Sequence, residues 1–270
     1  MNTRNQNIEL VRIAAAFGIV LFHSGASFSS WGYSGLVAFT AISTYFANSS
    51  AGKLTRRILL PWVFWTIFYM AWRFAADGDL FHDDLSPIQS ILYGTHLWFL
   101  PFIFIANLTV SRLRSDHLPL ISALIGFCFL AATPWWRELQ LSFDPPVAQF
   151  LHALPAVLIG VAFRTKTGMV ISALGLVVCA AWQVPGVSLP YALGGGALLG
   201  AIVLPHLRWN VESLSTRMFG VYLVHIAALG VFNRITGPET LTTATAAFLA
   251  SIIGVWIVSR YLPISRTVHG

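Results

Sequence analysis

Arg12 and His23 lie within one otherwise apolar stretch, IELVRIAAAFGIVLFHSGA. A neutral imidazole can take a proton and return it, and a guanidinium can hold an anion, so the pair offers acid–base chemistry together with anion recognition. An ionisable side chain inside a membrane helix is costly, which makes each a functional candidate. Eleven positions separate them. At about 100° per residue, His23 returns to within roughly 20° of the Arg12 face, about 16 Å further along the axis. Both line one side of a single helix, at two depths.

The elements that must position them are membrane helices. Hydrophobic residues make up 56% of the 270-residue chain, charged residues only 10%, and mean hydropathy is +0.72. A soluble chain carries about 25% charged residues. The expected fold is therefore all-α and integral to a membrane. Apolar runs predict ten spans, at 7–28, 33–49, 58–76, 91–110, 118–136, 147–163, 168–183, 189–205, 214–232 and 241–261. Several are near the lower length limit for crossing. The first is read as a span rather than a cleaved signal, and the whole chain as one domain, 1–270, with no internal repeat.

Basic residues predict the orientation. With the N-terminus cytoplasmic, Arg4, Arg12, Lys53, Arg56, Arg57, Arg112, Arg114, Arg164, Lys166, Arg208, Arg217, Arg260 and Arg266 fall on the inner side. Only Arg73, Arg137 and Arg234 fall outside, and both termini are then cytoplasmic. The net charge of +6 and the pI near 9.7 follow from this topology and do not point to nucleic acid. Cys128 and Cys179 fall inside predicted spans and read as packing residues, with neither a disulfide framework nor a zinc cluster implied.

Depth then sorts the histidines. His23, His96, His152 and His225 all fall toward the outer side. His152 is read as a satisfied or interfacial ring, and so is His96 in the plainer reading; His23 and His225 lie deeper.

Four strings carry a family resemblance. LVRIAAAFGIVLFH, with its arginine and histidine flanking ten residues, is similar to the opening helix of the membrane acyltransferase 3 family, the O-acyltransferases of bacterial surface carbohydrates. KLTRRILLPWVFWTIFY from Lys53 resembles that family's basic segment before its third helix, with Lys53 and Arg56 fitting the basic-x-x-arginine pattern. HLWFLPFIF from His96 and MFGVYLVH from Met218 to His225 resemble further signatures, in the expected order. The resemblance runs from residue 8 to about 230. Thr44 departs from it, standing where similar proteins tend to have a glycine after the serine, and the chain is short for the family.

The resemblance implies acyl transfer, with acetyl the expected group, from cytoplasmic acyl-CoA as co-substrate to a hydroxyl of a carbohydrate or glycolipid in a bacterial inner membrane. Arg12, His23 and His225 are then the expected catalytic residues, with His23 as general base or as carrier of the acyl group. His225, Tyr222 or His96 could orient the His23 ring, provided the spans converge. Arg12, Lys53, Arg56 and Arg57 are expected at the anionic donor, and His96, Trp98 and Tyr222 at the acceptor. The runner-up is a transporter or flippase for a lipid-linked or anionic solute, with Arg12 and His23 in its pathway; a non-catalytic subunit of a polysaccharide assembly complex is a third reading.

Four other features carry less. Trp62, Trp65, Trp72, Trp135, Trp136, Trp182, Trp209 and Trp256 read as an interfacial belt. The loop with Asp77, Asp79, His82, Asp83 and Asp84 matches no calcium loop and reads as a solvated acidic segment. Gly194 to Gly196 read as close helix packing, and Pro101 as a kink or break in the fourth span.

Overall fold

The computed structural model describes residues 4–81, 84–93, 96–113 and 115–261. His82, Asp83, Arg114 and Arg266 lie outside the described residues. Among those described the chain is helical, with no strand. The elements are α1 (Gln6–Ser24), α2 (Ser29–Gly32), α3 (Ser34–Tyr45), α4 (Ala51–Leu54), a π turn (Thr55–Leu59), α5 (Leu60–Asp77), α6 (Pro87–Tyr93) and α7 (Phe99–Arg112). They continue with α8 (Leu118–Ala131), α9 (Thr133–Leu141), α10 (Val147–Ala162), α11 (Lys166–Trp182), α12 (Ser188–Val203), α13 (Glu212–Ser215), α14 (Met218–Thr236) and α15 (Leu241–Tyr261).

Four helices are long and apolar enough to cross a membrane: α1, the continuous Ala51–Asp77 helix, α14 and α15. A fifth results if α8 and α9, bent by 78° at their junction, form one broken span. Helices α7, α10, α11 and α12 are apolar but shorter. The outer faces are apolar too: Leu120, Ile121, Leu124 and Ile125 on α8, and Val170, Leu174 and Val177 on α11, are all exposed. A surface of large apolar side chains at helical spacing is what a lipid solvent accepts and water does not.

The predicted span 91–110 is divided. Pro101 lacks an N–H and its ring would clash with the carbonyl four residues back, so it is tolerated in the first turn of a helix and not in its interior. Helix α7 accordingly begins at Phe99, and His96 to Trp98 form a turn ahead of it. The α8–α9 break has its own chemistry. Three carbonyls there accept from side chains: Phe129 from the Trp136 indole, Leu130 from Thr133 Oγ1 and Ala131 from the Trp182 indole. Trp136 and Trp182 thus serve a bent backbone in addition to any place in an aromatic belt.

Helix α3 is the hub, packed against α1, α10 and α12. Each neighbour approaches through a glycine. A Cβ on Gly35 would run into the carbonyl oxygen of Ala15, one on Gly160 into that of Ala41, and one on Gly194 would meet Ser34 O and Val37. Removing the side chain at each crossing lets backbones pack directly, the means by which membrane helices associate. Gly160 also accounts for Thr44. The hydroxyl occupies the space a Cβ would need and donates to Val157 O at 3.2 Å, so at this contact the glycine stands on the facing helix. Beside it, Asn107 Nδ2 donates to Ser43 Oγ at 2.8 Å and ties α7 to the hub.

Candidate active site

Local sequence fixes both ends of α1. Asn5 caps its start, accepting from the Asn7 and Ile8 N–H groups, and Gly25 closes it in the left-handed conformation at φ 67°. His23 therefore sits in the last turn, where its ring is exposed. Two more histidines converge on it. The His23 ring lies 5.2 Å from that of His225 on α14 and 6.0 Å from that of His96, and the latter two are 4.7 Å apart. His96 and His225 are buried behind the exposed ring.

One carbonyl organises the buried pair. Tyr222 O lies 2.6 Å from His225 Nδ1 and 3.2 Å from His96 Nε2. A carbonyl only accepts, so those two nitrogens carry the protons. The opposite nitrogens, His225 Nε2 and His96 Nδ1, are buried without a hydrogen-bond partner. In neutral rings each is a lone pair available to an N–H or O–H beside it. The frame is held from both sides: Tyr222 Oη donates to His96 O at 2.6 Å, and Tyr69 Oη donates to Leu223 O at 2.7 Å.

The other end of α1 is cationic. Arg12 is half-buried, reaches both carboxylate oxygens of Glu9 at 3.1 and 3.2 Å, and lies over the Phe46 ring at 5.8 Å. Glu9 is itself buried and accepts from Ser215 Oγ of α13. Arg4 and Arg57 are within electrostatic range of Arg12. Lys53, Arg56 and Arg57 are exposed, the two arginines on the π turn, a distortion frequent at functional sites. Phe46 also lines a cavity of about 590 Å³ with Tyr45, Asn48, Ser111 and Arg164. There Arg164 is already committed, donating to the carbonyls of Thr44, Tyr45 and Ala47 at the end of α3.

An exposed imidazole is thus backed by two buried ones, on a helix whose far end carries an arginine. The model of the acyltransferase 3 family, described as an acyltransferase domain, matches residues 5–260. The chain belongs to the acyltransferase 3 family. Among curated proteins and among solved structures, nothing matches. Family membership together with the apolar helices makes the protein an integral membrane acyltransferase.

Within this acyltransferase the expected site residues separate into three places. His23, His96, His225 and Tyr222 come together. Arg12 stands toward the opposite end of α1, paired with Glu9, with Lys53, Arg56 and Arg57 exposed on another helix. Trp98 joins neither group. It is buried, with its ring 6.3 Å from Phe102 and 6.2 Å from Phe150.

His152 is also buried, 3.2 Å from an Arg137 guanidinium nitrogen and 4.4 Å ring to ring from Tyr33. Three residues of this acyltransferase escape a reading of the sequence alone. Glu9 stands one turn before Arg12, and that i, i+3 spacing is its visible signal. Asn7 takes its role from afar, donating to Leu204 O and Pro205 O and accepting from the Leu207 N–H. Tyr69 reads as one more aromatic in an aromatic helix.

Proposed function

We propose that this acyltransferase moves an acetyl group from cytoplasmic acetyl-CoA to a hydroxyl of a glycan or glycolipid on the outer face of a bacterial inner membrane, with His23 at the point of transfer. The observation that carries this is the layout of α1: three histidines gather at one end, and Arg12 with its cationic neighbours stands at the other. Ten crossings with both termini inside complete the reading, supported by the distribution of thirteen basic residues against three.

Coenzyme A is anionic at one extremity and bears the thioester at the other. The exposed Lys53, Arg56 and Arg57 take the phosphates, and the cavity beside Phe46 offers aromatic surface to the donor's nucleotide end. Arg12, held by Glu9, stands along the route to His23.

At the histidine cluster the acceptor hydroxyl gives its proton to a His23 ring nitrogen as its oxygen attacks the thioester carbonyl. The tetrahedral intermediate collapses with loss of the C–S bond, and His23 returns the proton to the leaving thiolate. The free lone pairs of His225 Nε2 and His96 Nδ1 suit them to hold the other His23 N–H, which fixes the ring's orientation and stabilises its transient charge. His23 can alternatively carry the acetyl group itself, in which case acetyl-enzyme accumulates when acceptor is withheld.

The test is release of free thiol from acetyl-CoA by protein in nanodiscs, with acceptor glycan present. His23→Ala is expected to lower the rate by about 10²- to 10⁴-fold while the protein stays folded. Undiminished release rejects His23 as the catalytic residue. In sealed proteoliposomes loaded with acetyl-CoA, acetylation of external glycan tests the direction of transfer.

A further inference from the structure

Thr66 on α5 is buried, and its Oγ1 has no hydrogen-bond partner. The other buried helical threonines show what a hydroxyl normally does in this fold. Thr40 Oγ1 donates to Leu36 O at 2.8 Å and Thr44 Oγ1 to Thr40 O at 3.0 Å, each four residues back. An unsatisfied buried hydroxyl costs stability, and a valine would fill the same space without that cost. Thr66 instead lines a cavity of about 280 Å³ between α5, α6 and α14.

The lining of this cavity is mixed in a specific way. Tyr69 and Trp72 give aromatic surface, Ala227 an apolar floor, and Arg73 and Asp77 one charge of each sign. Tyr69 is also the wall shared with the histidine cluster, since its ring lies 5.2 Å from that of His96. The space is small, and its mouth includes the half-exposed Trp72.

We propose that this cavity is an acceptor subsite for one uncharged sugar ring, separate from the unit whose hydroxyl is acylated at His23. The inference rests on the reading of the protein as an acyltransferase with a carbohydrate acceptor. A sugar ring has an apolar C–H face for Tyr69 or Trp72 and hydroxyls that give Thr66 Oγ1 the partner it lacks. Arg73 and Asp77 put one charge of each sign in the lining, so it selects neither an anionic nor a cationic ring. Tyr69 packs on His96 and His96 on His23, so a ring beside Tyr69 lies two side chains away from His23 and is not the reacting unit.

The experiment is saturation-transfer NMR of methyl glucoside, methyl galactoside and methyl glucuronide with the full chain in lipid nanodiscs. A maltoside detergent is avoided because its headgroup is itself a sugar. Neutral methyl glycosides are expected to bind wild type and Thr66→Ser alike. Thr66→Val is expected to bind them about tenfold more weakly, the loss of one hydrogen bond, while melting no lower than wild type.

Equal binding by Thr66→Val overturns the proposal. So does the absence of neutral-glycoside binding to wild type, or a preference for the glucuronide. Thiol release from acetyl-CoA by wild type and His23→Ala is measured on the same samples. A His23-independent rate there sinks the catalytic reading and leaves the binding result to judge the subsite on its own.

Discussion

His225 and Glu9 each meet a proposed site residue with a group that burial has left few alternatives. His225 is fully enclosed, its Nδ1 taken by Tyr222 O and its Nε2 unengaged beside His23. His225→Ala is expected to reduce turnover by roughly tenfold to a hundredfold, about 1.4 kcal/mol per factor of ten, with the KM for acetyl-CoA unmoved. Steady-state kinetics across donor concentrations reads both numbers. Glu9→Gln has the opposite signature: it frees Arg12 from its carboxylate and is expected to raise the donor KM about tenfold while kcat stays near wild type. An equal fall in kcat would remove Glu9 from donor positioning.

The sequence made the first residue visible and hid the second for a physical reason. His225 is the one basic group in MFGVYLVH, so its cost stands out from an apolar background. Glu9 lies at the edge of its helix, and its burial depends on Ser215, far along the chain.

Among the elements, α3 bears the tightest constraint. It is only twelve residues long, yet three helices that position the site lean on it through Gly35, Gly160 and Gly194. Gly35→Ala is expected to destabilise the protein by about 1–3 kcal/mol, because backbone and not a flexible side chain meets the new Cβ. Thermal unfolding in nanodiscs measures this. The same change at Gly196, whose Cβ would meet nothing, serves as the comparison and should leave the midpoint unchanged.

Helix existence was legible throughout, because each apolar run between polar breaks became a helix or part of one. Helix length was not. The run 91–110 is apolar across Pro101, but the ring ends helical geometry ahead of it and leaves His96 on a turn. Trp98 shows the same limit: its aromatic character was plain, while its burial between Phe102 and Phe150 depends on α10, some fifty residues away.

At the scale of the molecule, the arrangement of charge and the two ends of α1 make a prediction about sidedness. With Cys128 and Cys179 replaced, a single cysteine at Ser50, just before α4, is expected to react with an impermeant maleimide only in inverted vesicles. One at Gly78, where α5 ends, is expected to react only in right-side-out vesicles. Labelling of both from one side would overturn the proposed orientation. The two sites bracket a single 27-residue helix, so together they also report whether that helix crosses.

The π turn at Thr55–Leu59 acts on this same helix as a phase setting. It accommodates one residue more than a regular α-helix would, and every position after it is rotated accordingly. Deleting Ile58 would restore regular winding and turn the rest of α5 by about 100°. The face carrying Thr66, Tyr69 and Arg73 would then leave α14, while Arg56 and Arg57 stayed where they were. The two proposed binding sites on this helix are thus held in angular register by a single extra residue, and a shift of frame there would uncouple them without altering any residue that either one uses.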